Sequence, residues 1–146
     1  MGARGKILAF STSETKGTRK RPVPVGVLKE GHGLVGDAHA STERQVSLLA
    51  DESVDSVRDE GLVLYPGDFG ENLTVCGLEL HSLPTGTRLR VGATAMLEVT
   101  QIGKECHEDC DIKAQTGRCV MPTEGIFGKV VVGGEVKAGD DIEVME

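Results

Sequence analysis

Short apolar runs separated by glycine are the feature of this sequence that most limits how the chain can fold. The 146 residues include 20 glycines, no tryptophan, three phenylalanines and one tyrosine. Because glycine favours turns and each apolar run is only a few residues long, the pattern predicts short strands with tight connections. We therefore expect a mostly β protein with an aliphatic core: a closed or partly open β-barrel with a few short helices on its periphery.

Alternating or continuous apolar residues predict where the strands lie. The predicted strands are Lys6–Phe10, Val23–Val27, Arg44–Leu49, Glu71–Val75, Gly128–Val132 and Asp141–Val144, with a meander of short strands over Leu78–Val99. The stretch between Glu30 and Ser41 and the stretch Tyr65–Gly70 are rich in turn residues and are predicted to be loops. No linker or change in composition divides the chain, so we expect a single domain over residues 1–146.

One helix is predicted between the third strand and the Tyr65–Gly70 turn. Asp51 is a suitable N-cap and Gly61 can end the helix. Val54 and Val57 form a narrow apolar face, while most other positions are charged or small. We expect this helix to lie on the surface of the barrel.

Net charge and hydropathy exclude several classes of protein. The formal net charge of −7 argues against general nucleic-acid binding, which needs a basic surface. No stretch approaches the ~20 apolar residues of a membrane span, and the N-terminus lacks the apolar core of a signal peptide. We expect a cytoplasmic protein that does not bind membranes, in which the four cysteines are reduced thiols or metal ligands rather than disulfides.

The stretch from Gly103 to Lys129 contains most of the residues that could carry chemistry. Cys106, His107, Cys110 and Cys119 could together supply four soft ligands to a structural zinc ion. Their spacing differs from the paired C-x2-C knuckles of common zinc sites. Cys106 and Cys110 could equally be small apolar residues of the core.

Cys119 differs from the other cysteines in its neighbours. Arg118 adjoins it, and a guanidinium group favours the reactive thiolate. Gly117 and Pro122 mark a turn around it. A helix ending at Gly117 would oppose the effect of Arg118 through its dipole. A thiolate here could act as nucleophile, metal ligand or sulfur carrier.

Two further polar clusters are candidate sites. Asp37 and His39, with His32 nearby, could be a metal-binding or acid–base pair, or could cap turns. Lys16 belongs to a basic cluster that also contains Arg19, Lys20 and Arg21. That cluster could bind an anion or could be a solvated loop.

Several motifs, taken together, resemble a known family. They are Gly33-Leu-Val-Gly-Asp-Ala-His39, Arg44-Gln-Val-Ser-Leu-Leu49, Gly67-Asp-Phe-Gly-Glu-Asn-Leu-Thr74, Gly117-Arg-Cys119 and Gly125-Ile-Phe-Gly128. Their order and spacing resemble the MOSC domain, named for the C-terminal part of molybdenum cofactor sulfurases. The resemblance extends from about Lys6 to Val144 and is greatest to short, stand-alone prokaryotic members.

The resemblance implies a β-barrel that handles molybdenum cofactor (molybdopterin) or activated sulfur. In amidoxime-reducing relatives, the cysteine that matches Cys119 ligates molybdenum, and the arginine that matches Arg118 contacts the pterin. We therefore expect Cys119 to be the catalytic residue and metal ligand. The expected cofactor-binding residues are Arg118, Asn72, Arg44 and Lys16. The larger reductases carry an arginine before the residue that matches Asn72, where this chain has Glu71.

Three functions follow from these observations. The first is binding of molybdenum cofactor or transport of sulfur on Cys119. The second is molybdenum-dependent reduction of N-hydroxylated compounds with a separate partner reductase. The third is a non-catalytic adaptor with a structural zinc or thiol site. Expected partners are a molybdoenzyme, a cofactor-biosynthesis protein or a sulfur donor. No pyridoxal phosphate is expected, because in the sulfurases it belongs to a separate domain.

Overall fold

The computed structural model describes residues 3–13, 20–37, 45–59, 61, 63–103 and 124–145. These residues form strands β1 to β11, one α-helix and one short 3-10 helix. Their bounds are β1 Arg4–Thr12, β2 Arg21–Val23, β3 Gly26–Lys29, β4 Gly33–Leu34, β5 Val46–Ala50, α1 Asp51–Arg58, β6 Leu73–Cys76, the 3-10 helix Leu80–Ser82, β7 Arg88–Val91, β8 Ala95–Ile102, β9 Ile126–Val132, β10 Gly134–Val136 and β11 Asp141–Met145.

Seven of the strands close into a barrel, which confirms the predicted fold class. Their order is β11-β7-β8-β9-β5-β6-β1, and β1 pairs back with β11. A closed ring with an odd number of strands cannot be antiparallel throughout, so one neighbouring pair must be parallel. That pair is β5 and β6, with Leu48 opposite Leu73. A parallel connection needs a crossover, and α1 lies within it.

The remaining strands extend the barrel. Strand β2 pairs with the end of β1, with Arg21 opposite Thr12. Strands β10, β3 and β4 form a separate small sheet, in which Leu28 of β3 pairs with both Gly134 and Leu34. Two of these strands were not predicted: β4 lies within the predicted loop Glu30–Ser41, and β10 lies where only a connection was expected.

Aliphatic side chains fill the barrel, as the composition predicts. Strand β1 alternates between exposed and buried positions over Arg4–Leu8, which places Ile7 inside the barrel. Phe10 is fully buried in the same core, surrounded by leucine, valine and isoleucine side chains. A second cluster lies outside the barrel wall, under α1, and consists of Leu49, Val54, Val57, Leu64, Phe69 and Phe127.

The helix lies where it was predicted, but it begins differently. Ala50 is the N-cap and makes no side-chain capping bond, so Asp51 is the first helical residue instead of the cap. Asp51 Oδ1 forms an ion pair with Arg58 Nη2 at 2.9 Å. Val54 and Val57 are buried, as expected. In the described part of the chain, no helix combines the length and the apolar character needed to span a membrane.

The predicted strand Val23–Val27 is not continuous. It is two strands in two sheets, separated at Pro24, whose ring leaves no N–H for a ladder hydrogen bond. Val25 and Val27 are exposed. Gly26 faces inward instead, because a Cβ atom there would lie 3.0 Å from the Phe10 ring. The position that faces the core is thus occupied by glycine, which leaves room for the Phe10 ring, and not by one of the valines.

Candidate functional site

Most of the predicted site residues lie outside the described part of the chain. These are Lys16, His39, Arg44, Cys106, His107, Cys110, Arg118 and Cys119. Their proposed roles therefore stay predictions. Asn72, Asp37, His32 and Glu71 are described. So are the residues that flank the segments 14–19, 38–44 and 104–123, and these flanks show where each segment joins the barrel.

The flanks of segments 14–19 and 38–44 lie at the same end of the barrel as Asn72. Strand β1 runs antiparallel to β6, and β5 runs parallel to β6. The C-terminal end of β1 and the N-terminal ends of β5 and β6 consequently meet, and we call this the Asn72 end. The flanks of segment 104–123, Gly103 and Glu124, lie at the opposite end, because β9 runs antiparallel to β5.

Asn72 joins three strands at the Asn72 end through its side chain. It is fully buried. Its Nδ2 donates to the carbonyl oxygen of Ser11 at 3.1 Å. Its Oδ1 accepts from the Ser47 N–H at 2.9 Å and from Ser47 Oγ at 3.1 Å. These bonds give Asn72 a structural role that sequence reasoning did not predict, and its predicted contact with a cofactor stays a prediction.

Glu71, the residue that departs from the larger reductases, directs its carboxyl group into the protein. One oxygen accepts from Thr74 Oγ1 at 2.7 Å and the other from the Phe69 N–H at 3.2 Å. Burial raises the pKa of the Glu71 carboxyl, although these hydrogen bonds act in the opposite direction. The group thus fastens the start of β6 to the turn that precedes it.

A buried ion pair lies beside this network. Lys20 Nζ is 2.7 Å from Asp37 Oδ1, and both side chains are almost completely inaccessible. Ser13 adds two contacts: its Oγ accepts from Lys20 Nζ at 3.2 Å, and its N–H donates to Asp37 Oδ1 at 3.2 Å. Lys20 is therefore not part of a solvated basic loop, and Asp37 contacts an ammonium group. The two residues are 17 positions apart, so no local pattern could have predicted the contact.

The opposite end carries an acidic cleft of about 400 Å³. Its lining residues are Ala50, Glu52, Ser53, Gly77, Leu78, Glu79, His81 and Glu124. Glu52 accepts a hydrogen bond from the Gly77 N–H at 2.7 Å. Within the described ranges, no three histidine, cysteine or acidic side chains are grouped closely enough to hold a metal ion. Three of the lining residues are glutamates, and their negative charge makes the cleft unsuited to a phosphate group.

Cys76 lies at the end of β6 and is half-buried. It pairs with Lys6 across the β1–β6 ladder. His32 lies in the turn between β3 and β4, where its N–H donates to the Lys29 carbonyl oxygen at 3.0 Å. Cys76 lies at the end of β6 that is opposite to Asn72.

Comparison with known proteins identifies one family and several structures of similar fold. The MOSC domain model matches residues 35–143. The crystal structure of YuaD from Bacillus subtilis superposes with a TM-score of 0.78 at 22% identity, covering 99% of this chain and 98% of YuaD. YiiM from Geobacillus stearothermophilus gives 0.73 at 19% identity, covering 97% and 75%. YiiM from Escherichia coli gives 0.66 at 20% identity, covering 97% and 70%. No curated protein matches the chain significantly. At these identities the structural likeness shows the fold alone.

Proposed function

The chain belongs to the MOSC domain family, and we propose that it binds molybdenum cofactor or carries activated sulfur, with Cys119 as the metal ligand or sulfur-carrying thiolate. The family is often associated with these two activities. The observation that carries the proposal is the sequence Gly117-Arg118-Cys119 inside the matched range 35–143.

The side chains of Arg118 and Cys119 suit both the binding of molybdenum cofactor and the transport of sulfur. A thiolate is a soft ligand that favours thiophilic metals, and it can also hold a second sulfur atom as a persulfide. Arg118 would stabilise the thiolate form by its charge. A guanidinium group also binds phosphate through paired hydrogen bonds, which is the interaction that the pterin phosphate requires.

The arrangement of strands at the Asn72 end supports an anion site formed by segments 14–19 and 38–44. Segments 14–19 and 38–44, which contain Lys16 and Arg44, both join the barrel at the Asn72 end. Lys20 is neutralised by Asp37 at 2.7 Å. We propose Lys16 and Arg44 as the cations that bind the phosphate.

The length of segment 104–123 is compatible with a site at that end. Its 20 residues join the barrel at the opposite end, through Gly103 and Glu124. Ser47, whose N–H bonds to Asn72, lies opposite Phe127 of β9, and Phe127 is three residues after Glu124. Cys119 is five positions before Glu124, and an extended chain covers roughly 3.3 Å per residue, so its distance from Glu124 is at most about 17 Å.

Elemental analysis combined with intact mass spectrometry tests the proposal. Protein purified from a host that makes molybdenum cofactor is expected to contain molybdenum and pterin, or one additional sulfur atom on Cys119. Cys119→Ala should abolish whichever is found. Cys76→Ala is the matched control, since it removes a half-buried thiol from the rim without altering Cys119.

Two results would contradict the proposal. One is wild-type protein that contains neither the metal and pterin nor the sulfur adduct. The other is stoichiometric zinc whose removal unfolds the domain, which would favour the adaptor function.

A further inference from the structure

The outer face of strands β1, β11, β7, β8 and β9 carries an excess of positive charge, and we call it the basic face. Cross-strand ion pairs on this face join five cations to three carboxylates. The pairs are Lys6–Asp141, Arg4–Glu143, Arg90–Glu143, Arg88–Glu98 and Lys129–Glu98. Two of the carboxylates are each shared by two cations, so the described residues of this face carry two positive charges in excess. The chain as a whole has a formal net charge of −7, so the basic face is opposite in sign to the protein that carries it.

The cations of the basic face are more exposed than the carboxylates that they share. The Arg90 side chain is 45% exposed, against 20% for Glu143. The Arg88 side chain is 53% exposed, against 24% for Glu98. A molecule approaching this face therefore meets the guanidinium groups first. Because exposed ion pairs contribute little to stability, the stability of the barrel does not explain why these cations lie together.

Two methionines lie beside the two arginines of β7. Arg90 is opposite Met96 of β8, and Arg88 is opposite Met145 of β11. Both methionines are half-buried. Arginine and methionine are enriched at protein interfaces relative to the rest of the surface, and the flexible thioether adapts to the shape of a partner. Strand β7 is hydrogen-bonded to a neighbour on each side, so a partner would contact these side chains and would not add a strand.

A groove of about 450 Å³ lies beside Arg88, at the end of the basic face. Its lining is mostly apolar and includes Leu83, Pro84, Val144 and Met145. Of the described carboxylates, only Glu98 pairs with Arg88, and it does so through Nε at 3.3 Å. The two terminal nitrogens of Arg88 are therefore available to an acceptor at the edge of the groove. An apolar groove next to a guanidinium group suits an apolar side chain that follows a carboxylate in a bound segment.

We propose that the basic face and this groove bind an acidic segment of a partner protein, which places carboxylates on Arg90 and Arg88 and an apolar side chain in the groove. Alternate side chains of an extended segment point to the same side and are roughly 7 Å apart, which is also the spacing of Arg90 and Arg88 along β7. A nucleic acid fits less well, because its phosphates supply no apolar side chain and general binding to it needs several more cations than the two in excess here. The inference is independent of the cofactor and sulfur chemistry proposed above.

Fluorescence anisotropy of the whole chain with a labelled peptide, Glu-Ser-Glu-Ser-Leu with both ends blocked, tests the proposal. Arg88→Glu is expected to weaken binding about tenfold or more, since it reverses the charge that contacts the peptide. Lys29→Glu is the matched control, because it reverses one exposed charge on β3, outside the basic face. It should change the affinity by less than about twofold in moderate salt. The peptide with serine in place of leucine should bind wild type more weakly.

Two further measurements locate the effect. Changes in amide chemical shift on addition of the peptide should lie along β7 and at the end of β11, and should be absent from β3. The melting temperatures of Arg88→Glu and Lys29→Glu should stay close to that of wild type. If Arg88→Glu does not fold, Arg88→Gln removes the charge without reversing it and should give a smaller loss of affinity in the same direction.

The other outcomes overturn the proposal. One is a wild-type protein that does not bind the peptide at low ionic strength. Another is an equal loss of affinity in Lys29→Glu and Arg88→Glu, because the peptide would then respond only to net charge. Equal affinity for the leucine and serine peptides would remove the groove from the site. A single-stranded oligonucleotide that binds more tightly than the peptide, and that loses affinity in Arg88→Glu, would identify a nucleic acid as the partner instead. None of these results depends on cofactor content, so a failure here leaves the proposed role of Cys119 unaffected.

Discussion

Two ion pairs in this protein have the same separation and opposite surroundings. Lys20 Nζ lies 2.7 Å from Asp37 Oδ1, and Arg4 Nη2 lies 2.7 Å from Glu143 Oε2. The side chains of the first pair are 1% and 0% exposed, and those of the second are 58% and 20% exposed. Water weakens the attraction between the two charges of the exposed pair. In the buried pair water is excluded, so removing one charge leaves the other unsolvated and strongly destabilises the fold. Distance alone does not reveal what an ion pair contributes.

The two pairs also arise differently. Arg4 and Glu143 face each other because β1 and β11 are neighbours, and Arg90 approaches Glu143 from β7 at 3.2 Å. The hydrogen bond from Arg4 lowers the pKa of the Glu143 carboxyl. These contacts follow from the barrel. Lys20 and Asp37, by contrast, lie outside regular strands, and no strand pairing accounts for their contact.

The largest effect is expected for Asp37→Leu. This variant leaves the Lys20 ammonium group buried without its carboxylate, which should lower the free energy of unfolding by roughly 3–5 kcal/mol. Urea unfolding at neutral pH measures the change. The double variant Lys20→Met/Asp37→Leu should lie much closer to wild type. Equal losses in the single and double variants would show that the charge itself is not the cause.

Asn72→Leu is expected to have the next largest effect. It leaves the Ser47 N–H and the Ser11 carbonyl oxygen buried without their partner. Each such group costs about 1–3 kcal/mol. Thr87→Val is the control, because it removes a hydroxyl hydrogen bond at the surface. A loss in Asn72→Leu no greater than in Thr87→Val would mean that solvent reaches the Asn72 end.

Glu71→Gln should change how stability depends on pH. Burial raises the folded-state pKa of Glu71 above its unfolded value. Its contribution to stability is therefore fully present below the unfolded pKa and is lost as pH rises through the folded pKa. In glutamine the amide oxygen can accept from the Phe69 N–H, and the amide NH2 can donate to Thr74 Oγ1, so both contacts can persist without an ionisable group. In denaturant titrations from pH 4 to pH 8, the free energy of unfolding of the variant should increase relative to that of wild type as pH rises. A constant difference across this range would contradict the assignment.

The smallest effect is expected for Arg4→Ala. Water surrounds this pair, and Arg90 still neutralises Glu143 at 3.2 Å in the variant. The melting temperature should not change measurably, and adding salt should not produce a difference in melting temperature between the variant and wild type. A decrease in melting temperature comparable to that of Asn72→Leu would show that the exposed ion pairs act as a network. It would contradict the conclusion that the exposed pair contributes less to stability than Lys20 and Asp37.

Local sequence patterns predicted five strands well, both where burial alternates, as at the start of β1, and where it is continuous, as in β5. β1, β5, β6, β9 and β11 all lie within a few residues of their predicted bounds. The pattern failed at Val25 and Val27, because Phe10 occupies the space into which a side chain at Gly26 would point. It also missed β4 and β10, which are only two and three residues long and depend on pairing with β3. Such short strands carry no periodicity of their own.

The candidate site, like the fold, was predicted from the sequence only in part. Cys119, Arg118, Arg44 and Lys16 were identified by residue type and by family resemblance, and their roles stay predictions. Asn72 was identified in the same way, and its bonds to Ser11 and Ser47 became visible only in the folded chain. The ion pair of Lys20 and Asp37 had no counterpart in the sequence analysis.

The sequence by itself determined that this chain is a β-barrel with an aliphatic core, and it indicated the family through short ordered motifs. Both depend on neighbours along the chain, because alternation and turn chemistry act over a few residues. The tertiary structure alone decided which polar groups are buried and which partners they have. Those contacts join residues as far apart as Ser11 and Asn72. Their energies depend on exclusion of water, which only the closed barrel provides.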